Sequence, residues 1–423
     1  MRAIAWAALP IGLAAACSAT PPCPAADLAP LARDPAFAIV TSDRTVTAIA
    51  LLDADGSLIT EAWIDSGTTR PGVSATLSGD VVLPTEPLGD GALALIDRFG
   101  VDVVTRIAIP NGDVLSQTHT QLSAAESTSG FRANPQDVVR LDDTRLLVSR
   151  HTPNLDPDAP ELERGNDLAI IDLDARAPVA RIDLSALDVS AGKQRFYARP
   201  ARMVSVDETH VIVGLARASR DFIAGPGAIA IADPTGAAAP VALELDGLAN
   251  CGEVVRSEDD PSHALVLCAG DTFTACSEER RPRSGIVELA VDTGAHVVRV
   301  LRAAGDPSLP VPSAGLVSIG ADRVLFAAMG DECGTLDRVV ALDLASGAFR
   351  VLLESSEILA FGYGVYDRAN RRALVPDARA GSGIHVLAVG DSLDAIIEER
   401  TIDVSPCRRL PAREARALIA VWP

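Results

Sequence analysis

Hydrophobic residues recur along this chain in pairs of short runs joined by a turn rich in Asp, Gly or Asn, which is the pattern of an antiparallel hairpin. One such unit reads LAIIDLDARAPVARIDL from Leu168, and another reads VVALDLASGAFRVLL from Val339. Seven copies begin at Ile49, Leu93, Leu168, Ile229, Ile286, Val339 and Ile384. Their starts are 44 to 75 residues apart, which matches a repeat of roughly 40 to 50 residues with loop insertions.

A second hairpin precedes most copies, as in RLDDTRLLVSR, VSVDETHVIVGLA and VSIGADRVLFAAM. Two hairpins per repeat predict a four-stranded antiparallel sheet, and seven such sheets arranged radially predict an all-β, seven-bladed β-propeller. No amphipathic helical segment lies between the apolar runs, so a parallel sheet with crossover helices is excluded.

The two ends of the chain complete the first repeat. AFAIV at residues 36–40 has no earlier partner strand, and ALIAVW at residues 417–422 has no later one. We predict that both segments join one sheet, which closes the ring and removes its open edge. The propeller domain is therefore predicted to span residues 36–423.

The N-terminus predicts export. Residues 1–17, MRAIAWAALPIGLAAAC, carry Arg2, an apolar stretch and small residues before Cys17, as a secretory signal peptide does. The run LAAAC resembles the lipobox of bacterial lipoproteins, in which the cysteine is acylated; the same residues also fit an ordinary A-x-A cleavage site. Residues 18–35, rich in Ala and Pro, are predicted to be a flexible tether, and Ser18 resembles the residue found in lipoproteins sorted to the outer membrane.

The cysteine count favours acylation of Cys17. The chain has seven cysteines, so an even number remains for disulfides once Cys17 carries a lipid. Their connectivity does not follow from sequence alone. The preferred pairs are Cys251 with Cys268 within a hairpin, Cys276 with Cys333 between neighbouring blade loops, and Cys23 with Cys407 between the termini.

Residues 36–404 resemble the YVTN-type seven-bladed propeller repeats of bacterial cell-envelope proteins. The resemblance is carried by LAIIDLDARAPVARIDL, by VVALDLASGAFRVLL, and by NPQDVVRLDDTRLLVSR before the third blade. The literal tetrapeptide of that family is absent, and TVTA at residues 45–48 is a loose echo of it. Membership implies a scaffold that binds something, without shared catalytic residues.

Charge excludes one class of partner. The formal net charge is -20, and Lys193 is the only lysine, so the dense basic face that nucleic acid requires is missing. The acidic balance itself is typical of a soluble surface.

Binding residues of a propeller concentrate in the loops of one face of the channel. The long loops of that predicted face carry polar groups suited to recognition: Asn134, Gln136, Arg150, His151, Asn154, Arg199, Arg202, Arg217, Arg220 and Tyr363. Arginines in a ring suit a carboxylate or a phosphate, which they bind through two parallel hydrogen bonds. The alternative is that these arginines pair with Asp side chains and serve structure.

Two acidic segments raise the question of calcium. Asp53 and Asp55 resemble part of an EF-hand loop but lack its remaining ligand spacing, so a tight turn is the better interpretation. A longer loop offers Asp156, Asp158 and Asp167 as candidate calcium ligands. No cofactor is predicted other than this calcium.

No local catalytic motif is present: the chain lacks G-x-S-x-G, H-E-x-x-H and a phosphate-binding loop. The leading hypothesis is a lipid-anchored envelope protein, at the outer membrane and facing the periplasm or the surface, whose propeller binds a protein, peptide or glycan. The alternative is a calcium-dependent propeller hydrolase or lactonase, because propellers assemble sites from residues of several blades. A third possibility is a spacer whose channel is plugged.

Overall fold

The computed structural model describes Leu28 and residues 30–98, 100–122, 130–272, 274, 276–291, 295–379, 383–404 and 414–421. Seven four-stranded antiparallel sheets form a ring. This confirms the predicted seven-bladed β-propeller. In the described part of the chain, no helix is long and apolar enough to cross a membrane.

Blades 1 to 3 are given from the innermost to the outermost strand. Blade 1 contains β30 (Glu414–Ala420), β1 (Phe37–Ser42), β2 (Thr47–Leu52) and β3 (Leu58–Asp65). Blade 2 contains β4 (Val81–Val82), β5 (Ala92–Asp97), β6 (Val103–Ala108) and β7 (Val114–His119). Blade 3 contains β8 (Pro135–Arg140), β9 (Arg145–Pro153), β10 (Gly165–Asp172) and β11 (Ala177–Asp183).

Blades 4 to 7 repeat this order. Blade 4 contains β14 (Pro200–Ser205), β15 (Val211–Leu215), β16 (Pro226–Ala232) and β17 (Val241–Ala249). Blade 5 contains β18 (Glu253–Arg256), β19 (His263–Ala269), β20 (Ser284–Ala290) and β21 (His296–Arg302). Blade 6 contains β22 (Ala314–Gly320), β23 (Arg323–Ala328), β24 (Asp337–Asp343) and β25 (Phe349–Ser355). Blade 7 contains β26 (Val365–Asp367), β27 (Arg372–Pro376), β28 (Ile384–Val389) and β29 (Ile396–Ile402).

The connections carry little further structure. A small hairpin, β12 (Val189–Ala191) and β13 (Gln194–Phe196), lies between blades 3 and 4. One short helix, α1, spans Ser277–Arg280. Single 3-10 turns lie at Glu161–Glu163, Ser185–Leu187, Arg281–Arg283, Ala303–Gly305 and Leu393–Ala395.

The core lies between the blades, because successive residues of a strand point to opposite faces of its sheet. Val213 and Ala230 of blade 4 pack toward blade 3, whereas the adjacent Ile212 and Ile229 pack toward blade 5. Since each blade is covered on both faces, its two middle strands are buried on both sides. This double burial explains why the repeats read as nearly continuous apolar runs.

The ring closes as the sequence predicts. Strand β30 from the C-terminus pairs antiparallel with β1 from the N-terminus, with Phe37 opposite Ala420 and Ile39 opposite Leu418. The backbone N–H of Leu418 also donates to the carbonyl of Tyr363, 2.9 Å away in blade 7. Both termini therefore share blade 1.

Two of the three predicted disulfides are confirmed. Cys251 is bonded to Cys268 across the first hairpin of blade 5, and Cys276 is bonded to Cys333 between the loops of blades 5 and 6. Cys17, Cys23 and Cys407 lie outside the described residues, so acylation and the third pair remain predictions.

Candidate functional site

A five-residue segment recurs where three neighbouring inner strands begin, at residues 133–137, 198–202 and 249–253. Its second residue has a left-handed backbone each time, with φ of 50° at Asn134, 49° at Arg199 and 50° at Asn250. Asn tolerates this conformation better than most residues do. The turn starts the inner strand and presents the segment's later residues to the channel.

These segments line a cavity of about 180 Å³, which we call the polar chamber. Its polar lining comprises Arg98, Gln136, His151, Arg202, Asn250, Glu253, Ser313 and Tyr363. The lining residues come from six of the seven blades or the loops beside them. A site of this kind is invisible to local motif searches.

Arg98 holds one wall of the polar chamber. It is ion-paired with Asp80, and its Nη1 donates to Oε1 of Gln136 at 3.0 Å. The amide of Gln136 donates in turn to the side-chain oxygen of Asn134 at 2.8 Å. This chain of hydrogen bonds fixes the orientation of the guanidinium group before any ligand arrives.

Arg202 also lines the polar chamber and is bound differently. Its Nη1 donates to the backbone carbonyls of Leu83 at 2.7 Å and Gln136 at 3.2 Å, and its guanidinium lies 4.9 Å from the ring centre of Tyr363. In the described part of the chain, no carboxylate oxygen lies within 4.0 Å of it. The charge of Arg202 lowers the pKa values of the buried Asp137 and Glu253 carboxyl groups, against the larger effect of their burial. Because Arg202 makes no direct ion pair with either carboxylate, its remaining N–H groups are available to an anion.

Glu253 and Tyr363 line the polar chamber as well. The carboxylate of Glu253 accepts the backbone N–H groups of Gly315 and Leu316, each at 3.1 Å, and the Tyr363 hydroxyl. Burial raises the pKa of Glu253, against the opposing effects of these hydrogen bonds and of Arg202. The charge of Glu253 and burial raise the pKa of Tyr363, so its hydroxyl stays protonated.

His151 is neutral in this setting. Burial, together with the charges of Arg199 and Arg98, lowers its pKa to about 3. Nη1 of Arg199 lies 3.5 Å from Nδ1 of His151, so the ring proton belongs on Nε2. A histidine that resists protonation marks a region where additional positive charge is unfavourable.

The segment after β4 contacts blades 3, 4 and 5. Glu86 in that segment is ion-paired with Arg256 of blade 5, and the Arg256 guanidinium also donates to the carbonyl of Ser205 in blade 4. A narrow cavity of about 60 Å³ remains beneath Arg202, Glu253 and Tyr363. The segment after β4 therefore reaches blades 4 and 5.

A larger cavity of about 580 Å³, which we call the apolar chamber, lies beside the polar chamber. Its apolar lining comprises Val81, Val82, Ala314, Met329, Leu359, Phe361, Ala378 and Ala417. Arg98, Ser313 and Tyr363 line both chambers. The two cavities are therefore adjoining parts of one site.

The charges around the two chambers differ from those of the whole protein. Three arginines line them, Arg44, Arg98 and Arg202, against two carboxylates, Asp80 and Glu253. Behind the lining, Arg199 and Asp137 add one charge of each sign. A protein with a net charge of -20 thus presents a slightly positive pocket, a distribution that attracts small anions into a cleft.

The structure brings together several predicted site residues and separates others. Gln136, His151, Arg202 and Tyr363 line the polar chamber, while Asn134 and Arg199 support it from behind. Arg150 is fully buried in an ion pair with Asp167, and Arg217 in one with Glu244. Arg220 lies with Lys193 and Arg195 in a separate groove, and the side-chain oxygen of Asn154 accepts the N–H of Asp156.

The three candidate calcium ligands are not gathered around one point. Both carboxylate oxygens of Asp167 bind Arg150, and one of them also binds Arg181. Asp156 lies in an exposed turn, where its side chain accepts the N–H of Asp158. Among the described residues, no group of three or more His, Cys, Asp or Glu side chains is placed to hold a metal ion. Calcium remains a prediction.

Sequence reasoning missed Arg98, Asn250, Glu253 and Ser313. Glu253 and Asn250 were accessible from the repeat register, because 249–253 aligns with 133–137 and 198–202. In that alignment Glu253 occupies the position of Asp137 and Arg202. Arg98 follows the second strand of blade 2, and no repeated segment in the sequence marks it as a site residue.

No protein-family model matches this chain, and no curated protein matches it by sequence. Its structure is similar to that of the periplasmic gluconolactonase of Pseudomonas aeruginosa, with a TM-score of 0.53 and 13% identity over 92% of this chain and 100% of that one. A candidate 6-phosphogluconolactonase of Bacteroides fragilis has a TM-score of 0.54 and 8% identity over 91% and 97% of the two chains. A hypothetical selenium-binding protein of Sulfolobus tokodaii has a TM-score of 0.54 and 12% identity over 93% and 97%. At these identities the similarity establishes the propeller fold alone.

His385 in blade 7 predicts a pH dependence of stability. Its Nε2 lies 2.8 Å from Asp377 and its Nδ1 lies 2.7 Å from Glu398, so the ring carries both protons. Burial alone would lower the pKa of His385, but these two carboxylates raise it above its usual value. The pKa of Asp377 is lowered to about 2 by hydrogen bonds from His385 and Arg379, which outweigh its burial.

The stabilisation by this ion pair is fully present between about pH 4 and 6.5, the ordinary pKa values of its two partners. It is lost as pH rises through the raised pKa of His385, with a slope of at most about 1.4 kcal/mol per pH unit. At pH 6 we expect His385→Gln to have a lower free energy of unfolding than the wild type, and we expect this difference to shrink as the pH is raised to 9. Urea unfolding across this pH range measures it. His210→Gln, at an exposed His–Asp pair, is the control. A disadvantage of His385→Gln that is constant with pH would contradict this assignment.

Proposed function

We propose that this protein is an exported binding protein, without catalytic activity, that holds a small anionic solute in the polar chamber. The observation that carries the proposal is Arg202, a cation fixed by two backbone carbonyls and an aromatic ring with no ion-paired carboxylate among the described residues. Arg98 also lines the polar chamber. Two arginines in one chamber suit a carboxylate or a phosphate.

The proposed cellular location is the bacterial envelope, with a lipid on Cys17. The signal-like residues 1–17 support this location. The two disulfides support it as well, because disulfides persist in oxidising compartments. A chamber of about 180 Å³ favours a small solute over the protein or glycan partner expected from the repeat pattern.

Arg202→Met tests the proposal, because methionine keeps a long side chain and removes the charge. We expect the affinity for the best ligand of a panel containing acetate, succinate, gluconate and inorganic phosphate to fall at least about 10-fold, since charge-assisted hydrogen bonds are the stronger class. Isothermal titration calorimetry on the folded variant measures the change, and Arg202→Lys should retain part of the affinity. Arg220→Met, outside the chamber, is the matched control. Equal affinity of Arg202→Met and the wild type would refute the proposal.

A second candidate function is hydrolysis of a lactone. It is favoured by the similarity to a protein named as a gluconolactonase and by the placement of Glu253 and the neutral His151 in one chamber. A pH-stat assay with glucono-1,5-lactone, with calcium and with a chelator, tests it. Turnover that Glu253→Gln abolishes would favour the hydrolase, whereas a rate at the spontaneous background would exclude this substrate.

A further inference from the structure

The apolar chamber has no role in the binding of a small anion alone. At about 580 Å³ it is within the range of cavities that hold organic ligands, and it is about three times the size of the polar chamber. Its wall is formed by aliphatic and aromatic side chains from blades 1, 2, 6 and 7 and from the loops beside them. A cavity this large and this apolar is suited to a hydrocarbon group.

Tyr363 lies at the junction of the two chambers. Its hydroxyl is held by Glu253, its ring faces the Arg202 guanidinium at 4.9 Å, and 36% of its surface is exposed. Arg98 and Ser313 line both cavities as well. An anionic group bound to Arg202 in the polar chamber would therefore have the apolar chamber beside it.

The rim of the apolar chamber exposes hydrophobic surface. Leu359 is 42% exposed and has a left-handed backbone with φ of 63°, a conformation that is unfavourable for a leucine. Backbone strain of this kind is maintained where the surrounding structure requires it, and it is frequent at ligand sites. The Leu359 side chain lines the apolar chamber, where a bound apolar group would cover it.

We propose that the ligand is an amphipathic monoanion: a carboxylate head in the polar chamber and an aliphatic chain of several methylenes in the apolar chamber. This inference rests on the proposed binding of an anion and specifies its class. It accounts for the division of one site into a polar part with fixed arginines and a larger apolar part.

A series of linear alkanoates tests the inference by titration calorimetry, from butanoate through hexanoate and octanoate to decanoate, each below its micellar concentration. We expect the Kd to fall about fourfold for each methylene that enters the apolar chamber, which corresponds to about 0.8 kcal/mol. In Leu359→Asn and Met329→Gln the decrease in Kd per methylene should become smaller than in the wild type. Asn also suits the left-handed backbone at position 359. The control is Ile358→Asn, at a neighbouring exposed residue that does not line the chamber.

The possible outcomes separate the two proposals. Equal Kd values for butanoate and decanoate, both sensitive to Arg202→Met, would overturn the amphipathic ligand and retain the anion site. Binding of octanol as tight as that of octanoate would overturn the anion site. If phosphate binds and Arg202→Met weakens its binding, but no alkanoate binds, then the proposed ligand with a carboxylate head and an aliphatic chain is wrong.

Discussion

Removal of residues 414–423 is expected to unfold the propeller or to destabilise it by more than any single substitution. Strand β30 forms the inner edge of blade 1, and its loss leaves the backbone of β1 unpaired at the closure point of the ring. The truncation also removes Leu418 and Ile419, which pack in two hydrophobic clusters. Burial of one such side chain contributes about 1.5 to 3 kcal/mol, against a total stability of about 5 to 15 kcal/mol for a typical domain.

Urea unfolding and limited proteolysis measure this effect. The truncated chain should lack a cooperative transition or should shift its midpoint far below that of the full chain, with early cleavage in residues 37–65. The point variant Ile419→Asp should reproduce much of the loss, whereas Ile397→Asp, at a side chain that is 55% exposed, should change little. If the truncated chain unfolds at the same urea concentration as the full chain, β30 does not close the ring.

Asp137→Ala is expected to be the most destabilising single substitution near the site, at about 3 to 5 kcal/mol. The Asp137 carboxylate is fully buried and joins three blades. It accepts the Thr85 N–H at 2.9 Å, the Thr85 hydroxyl at 2.6 Å and the Met203 N–H at 2.7 Å. Alanine leaves these donors without their acceptor in the interior and opens a small cavity, and both changes are unfavourable.

Asp137→Asn separates shape from charge at this position. Burial raises the pKa of Asp137, against the opposing effects of Arg202 and of these hydrogen bonds. Asparagine keeps the shape and one acceptor oxygen, but its amide NH₂ faces a donor. We expect a smaller loss for Asn than for Ala, measured by urea unfolding near pH 7. Asp143→Ala, at a side chain that is 92% exposed, is the control. A loss of less than about 1 kcal/mol for Asp137→Ala would contradict the role of this carboxylate in joining the blades.

Residue type and loop position do not by themselves predict which arginines of the candidate site form ion pairs. Arg150, Arg202 and Arg217 are the same residue type in similar loops of the predicted channel face. The structure gives Arg150 and Arg217 direct ion pairs with Asp167 and Glu244. The guanidinium of Arg202 instead binds carbonyls and faces a ring, and it acts on the carboxyl groups of Asp137 and Glu253 only from a longer distance. No property of the sequence near each arginine distinguishes these outcomes.

The sequence by itself determined the number of blades, the closure of the ring by both termini and two disulfide pairs. These features depend on alternation along strands, on turn residues and on spacing, which are encoded among neighbouring residues. Only the tertiary structure decided which polar side chains converge. Glu253 binds the N–H of Leu316, 63 positions away, and Arg202 binds the carbonyl of Leu83, 119 positions away. Such partners are set by how the blades pack around the channel, because the charge left available at a site depends on three-dimensional distance.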